Sequence, residues 1–149
     1  MTWTKLLASG DVQKHKTSQK ELNDMRKLIE RDLADAAVLG LSADRRFATA
    51  YNAALQATSM AIACAGYRIS ARIGHHMVAI ECAKLVLGSA ANKYADYFET
   101  CRRKRNIIDY TRSHVASDTE AQEMLSKATE FYQLVETWIA GSRPALKKT

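Results

Sequence analysis

The sequence predicts an all-α domain, an antiparallel up-and-down bundle of four to five helices, and three observations predict it. Apolar residues recur at three- and four-residue steps over most of the chain. A single proline, Pro144, and six glycines leave few places where long helices must break. No internal repeat or low-complexity linker divides the 149 residues, a length that buries roughly 70% of the surface its unfolded chain exposes.

Residues 1–17 are polar, carry Lys5, Lys14, His15 and Lys16 without a sustained period, and are expected to be loosely ordered or to form a short leading helix. From Ser18 onward Leu22, Met25, Ile29, Leu33 and Ala36 define the inner face of a long helix that ends near Gly40, with Lys20, Arg26, Lys27, Glu30 and Arg31 assigned to the rest of its wheel. Ser42 caps a second helix by accepting from an otherwise unpaired first-turn amide. That helix runs to about Gly66 as the alanine-rich centre of the bundle, with Phe47, Tyr51, Ala54, Leu55, Thr58, Ile62 and Ala65 on one face. Gly74 separates a short arm, residues 67–73, from a third helix that opens at His75-His76 and closes at Gly88. A fourth helix covers about residues 91–110, faced by Tyr94, Tyr97, Phe98, Cys101 and Ile108. The fifth starts at a capping box, Ser117-Asp118-Thr119-Glu120, and carries the seam Ala121, Met124, Leu125, Ala128, Phe131, Val135, Trp138 and Ile139. Gly141, Ser142 and Pro144 stop it. The helical domain is thus residues 18–141, followed by a basic tail, 142–149, expected to fray.

Cys64, Cys82 and Cys101 are odd in number, far apart and set in apolar stretches. They fit reduced core residues of a cytoplasmic protein, and neither a disulfide framework nor a Cys-x-x-Cys metal site. The opening residues hold too short an apolar run for a secretory signal. The most apolar run, 53–66, is interrupted by Gln56, Thr58 and Ser59 and falls short of the ~20 residues a membrane span needs. His75 and His76 point about 100 degrees apart on a helix and have no carboxylate one turn on, so they read as one packed and one exposed imidazole rather than a metal pair. No metal or cofactor is expected. The chain lacks a Gly-rich phosphate loop, which disfavours triphosphate chemistry, and lacks a short helix-turn-helix unit before its basic helix. The net charge of +6 and pI near 9.3 favour polyanionic partners, because a cation beside a phosphate releases condensed counterions.

The chemistry concentrates in Cys101-Arg102-Arg103-Lys104-Arg105-Asn106-Ile107-Ile108-Asp109-Tyr110. On the helical wheel Tyr94, Tyr97, Phe98 and Ile108 fall within roughly 60 degrees of Cys101, and Arg105 falls in the same sector. A guanidinium on an apolar face is costly unless it is paired or lines a cleft or subunit interface. Asp109, one turn later, is its natural partner. Arg103, Asn106 and Tyr110 make a second stripe, with Arg102 between the two, and Lys104 points away. Two arginines, an amide and a phenol on one flank suit a phosphodiester, the arginines through bidentate forks and the others through hydrogen bonds to phosphate, sugar or base.

Arg105-Asn106-Ile107-Ile108-Asp109-Tyr110, late in a helix and followed by one more amphipathic helix, resembles the signature of the HEPN (higher eukaryotes and prokaryotes nucleotide-binding) family. That signature is an arginine, commonly followed by a polar residue such as asparagine, with about four to six residues between the arginine and a histidine, which here would fall at Tyr110, Thr111 or Arg112. The Ala65-Gly66-Tyr67-Arg68 end of the second helix and the Gly74-His75-His76 opening of the next resemble bacterial members, and the resemblance covers about residues 18–139. It implies a bundle that dimerises, bringing two signature helices into a composite basic cleft. Catalytic members are metal-independent ribonucleases, frequently toxins or effectors of antiviral defence; others are non-catalytic and bind nucleotides, RNA or a partner nucleotidyltransferase. Carried onto this chain, the resemblance makes Arg105, Asn106 and Tyr110 candidate catalytic residues, Arg102 and Arg103 candidate RNA or phosphate ligands, and Asp109 a positioning group. The implied partners are a second copy of the chain, RNA or a nucleotide, and a protein such as a nucleotidyltransferase or antitoxin.

The departure from the pattern is chemical. Tyr110 stands where the histidine is expected, and a phenol with a pKa of about 10 is a poor general base at neutral pH, where an imidazole titrates. Tyr110 retains the capacity to orient a hydroxyl or donate to a phosphate. His114 lies too far along the chain for the motif unless the helix end folds back. Two functions therefore compete: a divergent RNA-directed domain, catalytic or binding, and a non-catalytic interaction domain in which Arg105 and Asp109 are structural.

Overall fold

The computed structural model describes residues 1–72, 74–110 and 112–149, and of Tyr110 the backbone alone. Among them are α1 (Trp3–Ser9), β1 (Val12–Lys14), α2 (Gln19–Ala36), α3 (Ala43–Cys64), β2 (Tyr67–Ile69), α4 (His75–Leu87), α5 (Asn92–Tyr110) and α6 (Asp118–Ser142). Of the five longer helices, the other four pack around α3, as the periodicity predicts. Ala50, Ala53, Ala54, Ala57 and Ala61 are all buried, so α2, α4, α5 and α6 approach it on several sides at once. Phe98 of α5 meets Phe131 of α6 edge-on at 5.2 Å, and Tyr94 meets the same ring at 5.7 Å. Side-chain oxygens of Ser18, Ser42 and Ser117 accept from first-turn amides, and Glu120 completes the capping box by accepting from the Ser117 amide at 3.0 Å. The three cysteines are buried and unpaired, and burial pushes each thiol up to about 11. No helix among the described residues is long and apolar enough to cross a membrane.

Residues 1–17 contain the short leading helix that was one of the two expectations, α1, capped by Thr2. Four features differ from the sequence expectation. First, β1 follows α1 and pairs antiparallel with β2 of the 67–73 arm in the register Val12 to Ile69 and Lys14 to Tyr67. Three residues give too few alternations to show a period, and the pairing is secured by Trp3 stacked on Tyr67 at 4.1 Å and by Leu6 and Val12 buried against Ile62, Ala79 and Cys82. Second, α2 stops at Ala36, and the Ala37 and Val38 amides tighten onto Ala34 and Asp35 carbonyls, leaving Val38 and Leu39 exposed before Ser42. Third, the tail is docked. Leu146 offers its carbonyl to Arg26 at 2.8 Å, Gln19 donates to the Lys147 carbonyl at 3.0 Å, and Lys148 pairs with Glu30 at 3.0 Å. Fourth, Arg26 is buried at 3% exposure and pairs with Glu136 of α6.

The turn from α5 into α6 is held by one carboxylate. Asp44, in the first turn of α3, accepts from the backbone amides of His114, Val115 and Ala116, the last two at 2.9 and 2.8 Å. Burial works against its charge, yet the three amide donors outweigh it and hold the carboxyl below its ordinary range. Asp44→Ala is expected to cost about 1–3 kcal/mol in urea unfolding, the sum of a few amide hydrogen bonds. Because the folded pKa is depressed, this stabilisation is present above the unfolded value near 3.9 and is lost as pH falls through the folded one. Equal acid sensitivity of wild type and Asp44→Ala would show that the carboxylate does not act in this way.

Candidate functional site

The basic run of α5 is divided by the helix into separate environments. Lys104 faces α6, where it pairs with Glu120 and lies over the Phe47 ring at 5.9 Å. Arg103 is exposed and pairs with no carboxylate among the described residues. Arg102 is half-buried and forked onto Glu99 one turn back, Nη2 to Oε1 at 2.9 Å. Asn106 is half-buried and makes no side-chain hydrogen bond among the described residues. The side chain of Tyr110 lies outside the described residues.

Arg105 is placed differently from all of these. Its side chain is 16% exposed and turns inward toward α3. Nη2 donates to Asn52 Oδ1 at 3.3 Å, and the guanidinium carbon sits 5.9 Å from the centre of the Tyr51 ring. Nε lies 3.0 Å from Asp109 Oδ2, an ion pair by distance, although its N–H is not directed for a hydrogen bond. The apolar-sector position predicted from the wheel and the partner one turn on are both present. The buried Tyr51 hydroxyl beside it has no acceptor among the described residues either, and burial raises that phenol above its ordinary range against the opposing pull of Arg105 and Arg102. Two buried donors thus lack an acceptor in one corner of the molecule, an arrangement that native interiors rarely tolerate without cause.

Arg105 opens onto a polar cleft of about 490 Å³ bounded by α2, α3, α4 and α5, within the size range of small-molecule sites. Asn52 and Gln56 come from α3, Arg31, Asp32 and Asp35 from α2, and His75 and His76 from α4. Asp32 is buried with Arg31 at 3.0 Å as its cation. His75 is exposed and His76 half-buried, matching the one-exposed, one-packed expectation. Burial first, then the charges of His75, Arg105 and Arg102, lower His76 to about 4. In the unfolded chain this imidazole titrates near 6.5, so the His76 contribution erodes stability as pH falls from there toward about 4.

Of the residues singled out in the sequence, the structure brings Arg105 and Asp109 together, and adds His75 and His76 on the other side of the cleft. Arg102, Arg103 and Asn106 do not line this cleft, although the Arg102 side chain is only 19% exposed and its charge reaches Tyr51 and His76. His114 is exposed, with φ at 58°, on the Asp44 side of the bundle and away from the cleft. Sequence reasoning missed Asn52 and Asp32. Asn52 carried a signal, an amide one turn before Gln56 in the alanine-rich α3 and next to Tyr51; Asp32 carried none that distinguished it from other carboxylates of α2. Among the described residues no three His, Cys, Asp or Glu side chains gather into a metal-binding group.

A family model for SAV_6107-like HEPN domains matches residues 37–136. No curated protein and no solved structure matches the chain. The matched span runs from just before α3 into α6 and includes Asn52, His75, His76 and Arg105.

Proposed function

Since the chain belongs to the HEPN family, we propose that it is an RNA- or nucleotide-binding domain whose phosphate contact is Arg105. The observation that carries this reading is the placement of Arg105. It is the arginine of the basic run that lines the polar cleft, and it is fixed there between Asn52 and Asp109. A guanidinium anchored in this way loses little freedom when it meets a phosphate oxygen, and it acts through directed donors as well as charge. The exposed Arg103 and the Glu99-bound Arg102 extend positive potential along the outer face of α5, toward which a longer strand would run.

Binding is favoured over cleavage by Tyr110, because a phenol replaces the imidazole that would accept a proton at neutral pH. Dimerisation through α5 and roles in toxin or defence systems belong to the same proposal. The test is an amide NMR map of the full chain titrated with a short single-stranded RNA. The expected footprint is centred on Asn52, His75, His76 and Arg105 with weaker shifts at Arg102 and Arg103. A footprint confined to the Lys147-Lys148 tail, or no shift at all, overturns the reading.

A further inference from the structure

His76 occupies a part of the cleft that a contact at Arg105 alone leaves unused. Its ring lies 6.4 Å from that of Tyr51 and edge-on to His75 at 4.3 Å. Neither of its nitrogens makes a hydrogen bond among the described residues, and the residue lines the cleft. His75 differs in this respect. Its Nδ1 sits 2.8 Å from the Arg72 carbonyl oxygen, which only accepts, so that nitrogen carries the proton and is committed.

The charges facing His76 come from every helix around it. From α5, Arg105 and Arg102 each bring a cation, tied to Asp109 and Glu99 of the same helix. From α2, Asp32 is matched by Arg31, and Asp35 lines the cleft beside them. Tyr51 of α3 is held as a neutral phenol. Burial first, and then the charges of His75, Arg105 and Arg102, oppose protonation of the imidazole, and the ring is uncharged at neutral pH. One anion entering between Arg105 and His76 works against these causes: it offsets the cationic charge and supplies an acceptor for an imidazolium N–H that burial otherwise leaves without one.

We infer that the cleft is a proton-linked phosphate site, in which a phosphodiester held by Arg105 is also received by His76, and His76 takes up one proton as the ligand enters. The inference rests on the Arg105 reading and adds a second ligand-contacting residue and a pH dependence to it. Its sign follows from linkage. The bound-state pKa lies above the free-state value of about 4, so affinity is level at high pH, rises as pH falls through the bound-state value, and levels again below the free-state one.

The experiment follows the imidazole resonances of the full chain by NMR while uridylyl-(3′→5′)-uridine is added, with calorimetric affinities at about pH 5 and about pH 7.5. This dinucleotide has one phosphodiester, whose charge is constant over that range. Saturation is expected to raise the His76 midpoint from about 4 by at least about one and a half units, and affinity is expected to be at least about threefold higher at the lower pH. His76→Gln should bind with the same affinity at both pH values. If the dinucleotide binds and Arg105→Ala abolishes binding, yet the His76 midpoint does not move, the proton-linked site is refuted while the Arg105 contact stands. If the dinucleotide does not bind, or binds Arg105→Ala equally well, the Arg105 contact is refuted and the inference falls with it.

Discussion

Glu136→Ala is expected to lower the unfolding free energy by about 3–5 kcal/mol, the cost of leaving a buried charge without its partner. Arg26 is 3% exposed, and its Nε and Nη2 meet the two Glu136 oxygens at 2.8 and 2.9 Å. Its remaining donors reach Asn23 at 3.0 Å and the Leu146 carbonyl at 2.8 Å, so one side chain joins α2, α6 and the docked tail. Glu136 also accepts from Tyr132, whose hydroxyl reaches Glu30 at 2.9 Å, and Glu30 pairs with Lys148. Removing Glu136 strands the guanidinium where water cannot replace the lost carboxylate. The double substitution Arg26→Met with Glu136→Leu removes both charges and keeps the volume, and is expected to recover most of the loss. Urea unfolding reads both effects as shifts in midpoint at constant slope. A Glu136→Ala cost below about 1 kcal/mol would put the pair among ordinary surface bridges.

Arg105→Ala is expected to weaken RNA binding by roughly ten- to more than a hundredfold. A hydrogen bond to a charged group contributes about 1.5–3 kcal/mol, and each 1.4 kcal/mol is about tenfold in affinity. Arg105→Lys keeps the charge and loses the planar fork that spans Asn52 and Asp109, so an intermediate loss is expected. The cost to folding is small by comparison, because Asp109 is solvent-accessible and can be hydrated when its partner is removed. A thermal midpoint close to wild type separates the loss of binding from loss of structure.

The long helices were legible in the sequence because each has an apolar period sustained over several turns, and α2, α3 and α6 each add a serine cap, as in Ser117 to Ile139. The β1–β2 pair was not, since three-residue strands carry no pattern and their partners are more than fifty residues apart in the chain. Arg26 was assigned to the polar side of α2 although it lies four residues after Leu22 and three before Ile29. Its spacing placed it on the buried stripe; its charge suggested otherwise, and the acid that resolves the conflict is on α6. The same logic was applied successfully to Arg105, because its partner Asp109 is local. The cleft itself was only half visible. A wheel shows which way Arg105 points, but the facing groups Asn52, Asp32 and His76 come from three other helices, and their convergence is a property of packing. The His75-His76 pair was read as one packed and one exposed imidazole; the fold makes His76 the half-buried one and adds the charges of His75 and the arginines beside it.

The central claim is that Arg105 is the phosphate contact because of where it sits, and a charge-matched comparison tests it most directly. Arg105→Ala and Lys104→Ala each remove one cation from neighbouring positions of the same helix, so both lower the +6 net charge equally. Fluorescence anisotropy of a labelled single-stranded RNA, at one fixed salt concentration, gives the affinity of each variant against wild type. The predicted result is a loss of at least about tenfold for Arg105→Ala and a change within about twofold for Lys104→Ala, whose side chain faces Glu120 and Phe47. Equal losses in the two variants would contradict the claim, because they would mean that the RNA responds to the charge of the chain and not to the cleft.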